Sequence, residues 1–248
     1  MTTILPTLSA TIIGVVATSR ISRAYPDRVE VRGRDLAGDL MGRLTFTEYF
    51  HLLLTGDEPT EEQRFFLDLL LVAIAEHGMM PTNVAARITL AADPGSLQGA
   101  VAAGILGAGP VVLGTSEECA KLLVSDEEPE ALVRRLRDAG EKVPGFGHPL
   151  HKPVDPRAER ILELADERGV GGRHVARARG MHEAVGLTMN VAMPIAAVLL
   201  DLGFSANAVK AVPILARTAG LLAHLAEERE QPLGFLMARA AEEAVGDE

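Results

Sequence analysis

The stretch SLQGAVAAGILGAG, Ser96 to Gly109, narrows the choice of fold more than any other part of the chain. It reads as a helix with small residues on nearly every face. A glycine inside a helix costs about 1 kcal/mol relative to alanine, a loss recovered only where another backbone comes close. The segment therefore belongs at a helix–helix or subunit contact, and the remaining sequence has to supply the partner helices.

It does so along most of its length. Thr60-Glu61-Glu62-Gln63 forms a capping box, in which the Thr hydroxyl and the Gln side chain satisfy two otherwise orphaned backbone donors, and Phe66, Leu69, Leu70 and Ala73 continue one apolar face. This predicts a helix from Thr60 to Glu76. Further helices are expected at Pro81 to Leu90, Glu127 to Ala139, Pro156 to Arg168, Arg173 to Val185, Met189 to Leu202 and Ser205 to Arg229, the last bent near Pro213. Only the start differs, where alternation in RVEVRGRD (Arg28 to Asp35), after Tyr25-Pro26-Asp27, predicts a short strand or extended arm. Aromatic residues make up 4% of the chain and there is no Trp, so a 48% hydrophobic sequence must build its core from Leu, Ala, Val, Ile and Met. That composition suits close helix packing and points to an all-α protein.

Charge and cysteine content exclude several functions. A net charge of −10 with acids and bases interspersed argues against a nucleic-acid or anionic-membrane surface. A lone Cys119 rules out an internal disulfide and fits a reducing compartment. No apolar run reads as long enough to span a bilayer, and MTTILPTLSA lacks the basic region of a secretory leader, so a cytoplasmic protein is expected.

Chemistry concentrates in VPGFGHPLHKPVDPRA, Val143 to Ala158. Asp155-Pro156-Arg157 is a helix start, with Asp as N-cap and Pro at the first helical position. An arginine is slightly unfavourable there, because the helix N-terminus already carries partial positive charge. An anion between the two would resolve the mismatch, a carboxylate or phosphate held by Arg157 and free N–H groups. The Pro144-Gly145-Phe146-Gly147 loop lets a ligand approach the backbone. His148 reads equally as a positioned acid or base and as a buried histidine bonded to a carbonyl. A metal held by His148 and His151 is the weaker reading, since Pro149 breaks helical register and no thiol or carboxylate cluster accompanies them, and no metal is expected.

GFGHPLHKPVDPRA resembles the GFGHRVY-K-x-x-DPRA signature of the citrate synthase superfamily. RVEVRGRDLAGDLMGRLTFTEYFHLLLTGDEPTEEQ, EHGMMPTNVAAR and ILARTAGLLAHLAEERE are similar to three further blocks of that family, in the same order. The short length is similar to that of its citryl-CoA lyases. The resemblance implies a helical homodimer without nucleic-acid or membrane partners. A large dimerising domain, 1–112 and 193–248, would carry an inserted small CoA-side domain, 113–192, which closes on it and excludes water. It further implies that His77 binds a carboxylate of an oxo acid, and that Arg157 and Arg217 bind carboxylates. His148 would bond the oxygen at the carbon where the bond forms or breaks. Val143, Pro144, Gly145, Phe146 and Gly147 would receive the CoA adenine, and Lys152 a CoA phosphate.

The departures from the family pattern bear on the reaction. GPVVLGTSEECA puts Val112 where a synthase has the histidine that polarises the thioester carbonyl, and MNVAMP puts Ala192 where it has its catalytic Asp. The segment around Gln231-Pro232 lacks the arginine that a partner subunit would supply. Forming a carbon–carbon bond requires a base and an oxyanion stabiliser to deprotonate the α-carbon of a thioester. Cleaving a hydroxyacyl-CoA requires one base at the hydroxyl, His148, with the enolate held by backbone N–H groups, water or Ser116. The sequence thus favours cleavage of citryl-CoA or a related 3-hydroxyacyl-CoA to an acetyl-type thioester and a 2-oxo acid. The alternatives are a degenerate paralogue that binds CoA or an acid, and a synthase with relocated groups.

Other polar residues are assigned structural roles. His51 and His224 read as satisfied core or interface groups. His174 and His182 sit with Arg173, Arg177 and Arg179 in a helix that reads as a solvated face; the alternative is that Arg173, Arg177 or Arg179 meets CoA phosphates. Glu227, Glu228 and Glu230 are expected in solvent, Met79 and Met80 in packing near His77, and Cys119 in the interior.

Overall fold

The computed structural model of the protein describes residues 19–245, so the opening MTTILPTLSA considered above lies outside the described residues. The backbone divides between Pro59 and Thr60 into two compact units.

In the first unit the expected single strand is a three-stranded antiparallel meander: β1 (Ser22–Ala24), β2 (Val29–Val31) and β3 (Arg34–Asp35). The β2–β3 loop is Arg32-Gly33, with φ of 51° and 77°; positive φ at both loop residues matches the twist of a tight hairpin. Asp35 caps a wide π-type turn over Leu36–Leu40. Then follows α1 (Phe46–Thr55), started by a Thr45/Glu48 capping box. Val31, Leu40 and Leu52 form the buried centre. Arg43 and Arg34 both hold Glu58, whose carboxyl is lowered to about 2 by these bonds.

The second unit is helical: α2 (Glu61–Ala75), α3 (Pro81–Ala92), α4 (Leu97–Leu106), α5 (Thr115–Leu123), α6 (Pro129–Asp138), α7 (Pro156–Glu167), α8 (Arg173–Val185), α9 (Ala192–Asp201), α10 (Ala206–Val209), α11 (Ala211–Glu230) and α12 (Gly234–Val245). The Thr60 capping box starts α2 as the sequence requires. The small-residue segment is α4, and it lies at a helix–helix contact. A Cβ on Gly104 would stand 2.8 Å from the Leu221 methyls and 3.0 Å from the Thr82 carbonyl. Ala86, Leu90, Ala100, Leu221 and Leu225 are buried around it. Helix α9 is the other centre, buried from Ala192 to Leu200, with α5, α7 and α8 packed on it.

The structure corrects the sequence expectations in several places. Helices α5 and α12 were not anticipated. Helix α9 starts three residues late, because Thr188 to Asn190 pair with the glycine loop. The expected bend at Pro213 is an interruption at Lys210, which leaves Pro213 in the first turn of α11, where a missing N–H costs no intrahelical bond. Residues 206–230 are long and apolar enough to cross a membrane by length and composition, contrary to the reading of the sequence. Here α11 packs against α2, α3 and α4 and buries Arg217 and Glu228.

Candidate active site

The site is assembled from the 143–157 loop, the turn after α2 and the middle of α11. In the loop, Gly145 has φ 85°, and a Cβ there would stand 2.7 Å from Cys119 Sγ and 2.8 Å from Met193, so both conformation and space exclude a side chain. Gly147 N–H donates to Thr188 O at 2.7 Å and Asn190 N–H to Gly145 O at 2.9 Å, while the Asn190 amide reaches Gly147 O at 3.1 Å. The Phe146 ring lies 6.3 Å from that of exposed His182, nearly parallel. Val143 and Pro144 are half-buried beside it and Lys152 is exposed, next to a cis bond to Pro153.

Asp155 has no exposed surface. Its Oδ1 accepts the Arg157 N–H at 3.1 Å and Nε at 3.0 Å; its Oδ2 accepts Arg157 Nη2 at 2.9 Å and the Val191 N–H at 3.2 Å. Burial opposes ionisation, yet these bonds hold its carboxyl below the usual range. The arginine that the sequence paired with an external anion thus already has an internal one. His148, His151 and Asp155 place donor atoms within 4.8 Å of one another. Both Asp155 oxygens are nonetheless engaged and a guanidinium adjoins them, an environment hostile to a cation.

Around this core stand His148, His77 and Arg217. His148 Nδ1 accepts the Leu150 N–H at 3.1 Å and the His151 N–H at 2.9 Å, so the neutral ring carries its proton on Nε2. Its ring lies 4.3 Å from that of His151 and 6.3 Å from that of His77. Burial and the His151 ring push its pKa down. His77 is also depressed, by burial first and then by Arg157, Arg217 and His148. Both imidazoles are therefore neutral at pH 7. Arg217 is 2% exposed, and its Nε and Nη1 have no partner among the described residues. Burial and Arg157 weaken its hold on the proton, opposed by Glu76. A buried guanidinium with unmet donors costs stability unless something anionic arrives. The four residues singled out in the sequence thus form one cationic, imidazole-rich group.

Sequence reasoning missed a second layer. Glu76, Asn83 and Arg87 lie inside a motif it quoted, yet drew no notice. Arg87 is fully buried and paired with Glu227 and Glu228. Glu228, expected in solvent, is 4% exposed and accepts the Leu233 and Gly234 N–H groups at 2.9 and 2.7 Å. His174, also expected in solvent, is buried with Nδ1 2.7 Å from Asp201, whose carboxylate caps α8 through three backbone N–H groups. His224 is satisfied, as expected, through Glu76 and Arg87. Cys119 is buried, which raises its thiol pKa and leaves it a poor nucleophile.

Residues 9–236 match the model of the family described as citrate synthase, C-terminal domain. The chain belongs to the citrate synthase family. Among curated relatives of this family, the citrate synthase of Heyndrickxia coagulans is 31% identical, covering 75% of this chain and 53% of that protein. That of Haloferax volcanii is 29% identical, covering 73% and 51%. The chain spans about half the length of these curated citrate synthase relatives. A solved structure of similar size, citryl-CoA lyase from Hydrogenobacter thermophilus, is 30% identical with a TM-score of 0.79, covering 86% of this chain and 87% of that one. ATP citrate lyase from Methanosaeta concilii, solved with (3S)-citryl-CoA, shares the fold at a TM-score of 0.78 and 21% identity, over 89% of this chain and 40% of that one.

Proposed function

We propose that this citrate synthase family member is a carbon–carbon lyase that splits citryl-CoA, or a related 3-hydroxyacyl-CoA, into an acetyl-type thioester and a 2-oxo acid. The observation that carries the reading is Arg217, a buried guanidinium with two unmet donors beside Arg157 and two neutral imidazoles. Such a group suits a carboxylated substrate whose reacting oxygen needs an uncharged hydrogen-bonding partner. The likeness in length and fold to a citryl-CoA lyase supports it.

In this reading Arg217 and Arg157 hold carboxylates and His77 bonds one of them. His148 meets the hydroxyl oxygen. The hydroxyl proton passes to His148 as the carbon–carbon bond breaks, the electron pair of that bond passes to the thioester enolate, and the hydroxyl carbon becomes the carbonyl of the oxo acid. Protonation of the enolate at carbon by solvent completes the acetyl-type thioester. The bonds at Nδ1 constrain this step: to accept a proton at Nε2, His148 must carry its own on Nδ1 and release the Leu150 and His151 N–H groups. Cleavage therefore requires the 148–151 turn to yield. The glycine loop with Phe146 takes the adenine and Lys152 a phosphate of CoA. A small domain over 113–192 closes on a large dimerising one formed by 1–112 and 193–248. With Val112 and Ala192 at the synthase positions, bond formation is disfavoured; without the family's partner-supplied arginine around Gln231-Pro232, a substrate with fewer carboxylates than citryl-CoA fits as well.

The test is incubation with citryl-CoA and assay of oxaloacetate. Release by the wild type, falling at least about 100-fold in His148→Ala, is expected. Absence of oxaloacetate, with no effect of His148→Ala on any hydroxyacyl-CoA, rejects the lyase. Val112 and Ala192 favour a second reading, a non-catalytic binder of CoA or a carboxylic acid, which predicts CoA binding without turnover.

A further inference from the structure

The turn that presents His77 is held by a chain of polar groups, from half-exposed Glu76 to fully buried Asn83 and Arg87, that the reaction does not use. Glu76 Oε1 accepts the His77 N–H at 2.6 Å, the Gly78 N–H at 2.7 Å and the Asn83 amide at 3.2 Å. The same Asn83 amide bonds the Gly78 carbonyl, and Asn83 has no exposed surface. Glu76 Oε2 lies 2.6 Å from His224 Nε2. On the other side of that ring, Nδ1 accepts Arg87 Nε at 3.1 Å and faces Nη2 at 2.7 Å. An arginine offers only donors, so His224 carries its proton on Nε2 and directs it at Glu76, not at the Asn83 amide nitrogen 2.9 Å away, which is itself a donor. Arg87 is in turn fixed by Glu227 and by Glu228, 2.9 Å from Nη1. Helix α11 comes close at this point: a Cβ on Gly220 would stand 2.0 Å from the Ala75 carbonyl.

We infer that Glu76 and His224 are positioning residues, which fix the 76–78 turn so that His77 stays beside Arg157 and Arg217. The inference deepens the proposed function and rests on it for the ligand, an oxo acid, but not for the geometry. A carboxylate that accepts two successive backbone N–H groups locks the turn as a neutral amide cannot, because charge-assisted bonds are about twice as strong. His224, oriented by Arg87, holds the carboxylate in place.

The experiment uses Glu76→Gln and His224→Gln in the full chain, with thermal unfolding as the check on folding. Two quantities are read: oxaloacetate affinity by calorimetry, and the His77 titration by NMR of imidazole-labelled protein without ligand. The His77 ring is faced by Arg157 and Arg217, by His148 and by Asp155 at the start of α7, while Glu76 bonds its backbone N–H. Loss of the Glu76 charge alone would push its pKa further down, whereas release of the ring from the two arginines and from burial moves it up toward 6.5. The sign separates positioning from charge. We expect an upward shift in both variants and about tenfold weaker oxaloacetate binding, with CoA binding unchanged. A His77 titration that is unchanged or shifted down in variants that fold overturns the inference; if one variant fails to fold, the other decides. Should wild type bind no oxo acid while the upward shift is seen, the positioning role stands and the proposed function falls.

Discussion

At the scale of single residues, the site conflicts with stability. Arg217 is buried with donors unmet and with Arg157 close enough to weaken its hold on the proton. Replacing a buried ion pair by apolar side chains of similar volume is often neutral or stabilising by about 1–4 kcal/mol, and a buried charge with unmet donors has less attraction to lose. Arg217→Met should therefore raise the unfolding temperature by a few degrees and weaken oxo-acid binding about 100-fold or more. Calorimetry in both senses, thermal scan and titration, checks the pair of outcomes, and a drop in unfolding temperature would show that Arg217 is a structural group. His77, His148, Arg157 and Arg217 were all named from the sequence, because motif spacing reports which residues converge. Glu76 and Arg87 were not. Their roles come from bonds to backbone or to distant acids and, for Arg87, from burial, none of which leaves a periodic or spacing signal.

At the scale of elements, glycine positions separate two kinds of close approach. At Gly104 an added methyl meets the ends of the Leu221 side chain first, which can move, though the Thr82 carbonyl is also near; at Gly220 it meets the Ala75 carbonyl, which cannot. Gly220→Ala should cost about 1–3 kcal/mol from overpacking, more than Gly104→Ala, and should also weaken oxo-acid binding, since Ala75 leads directly into the Glu76–His77 turn. Urea unfolding of the two variants, with oxaloacetate titration, tests this; equal losses in both would contradict it. The helices with clear signals were legible: α2 from its capping box, α7 from Asp155-Pro156, α8 from its period. Helix α5 was missed because TSEECAKLL is short, follows a run of glycines and presents a mixed face. Helix α12 was missed because its start is stabilised by Glu228 from α11, a tertiary cap that local sequence does not announce. The strands were underestimated because each is only two or three residues long.

At the scale of the molecule, binding should be visible as protection. A ligand at 100 times its dissociation constant adds about 2.7 kcal/mol to stability. If oxaloacetate and CoA bring a 113–192 domain down on the remainder, as proposed, hydrogen exchange should slow over 143–157 with both ligands together more than with either alone. Exchange in that loop unaltered by the pair would rule out closure. The all-α character was readable from an aromatic-poor, alanine-rich chain, and so was the burial of a small-residue helix. The linkage between parts was not, and Asp155 shows why. One carboxylate starts α7, clamps Arg157 and holds the backbone at Val191, where the chain enters the central α9. Exchanging Arg157 to suit a differently charged substrate would loosen the origin of two helices at once. Arg217 is tethered through Nε and Nη1 to nothing among the described residues, so it is the position at which the acid preference of this scaffold is free to drift.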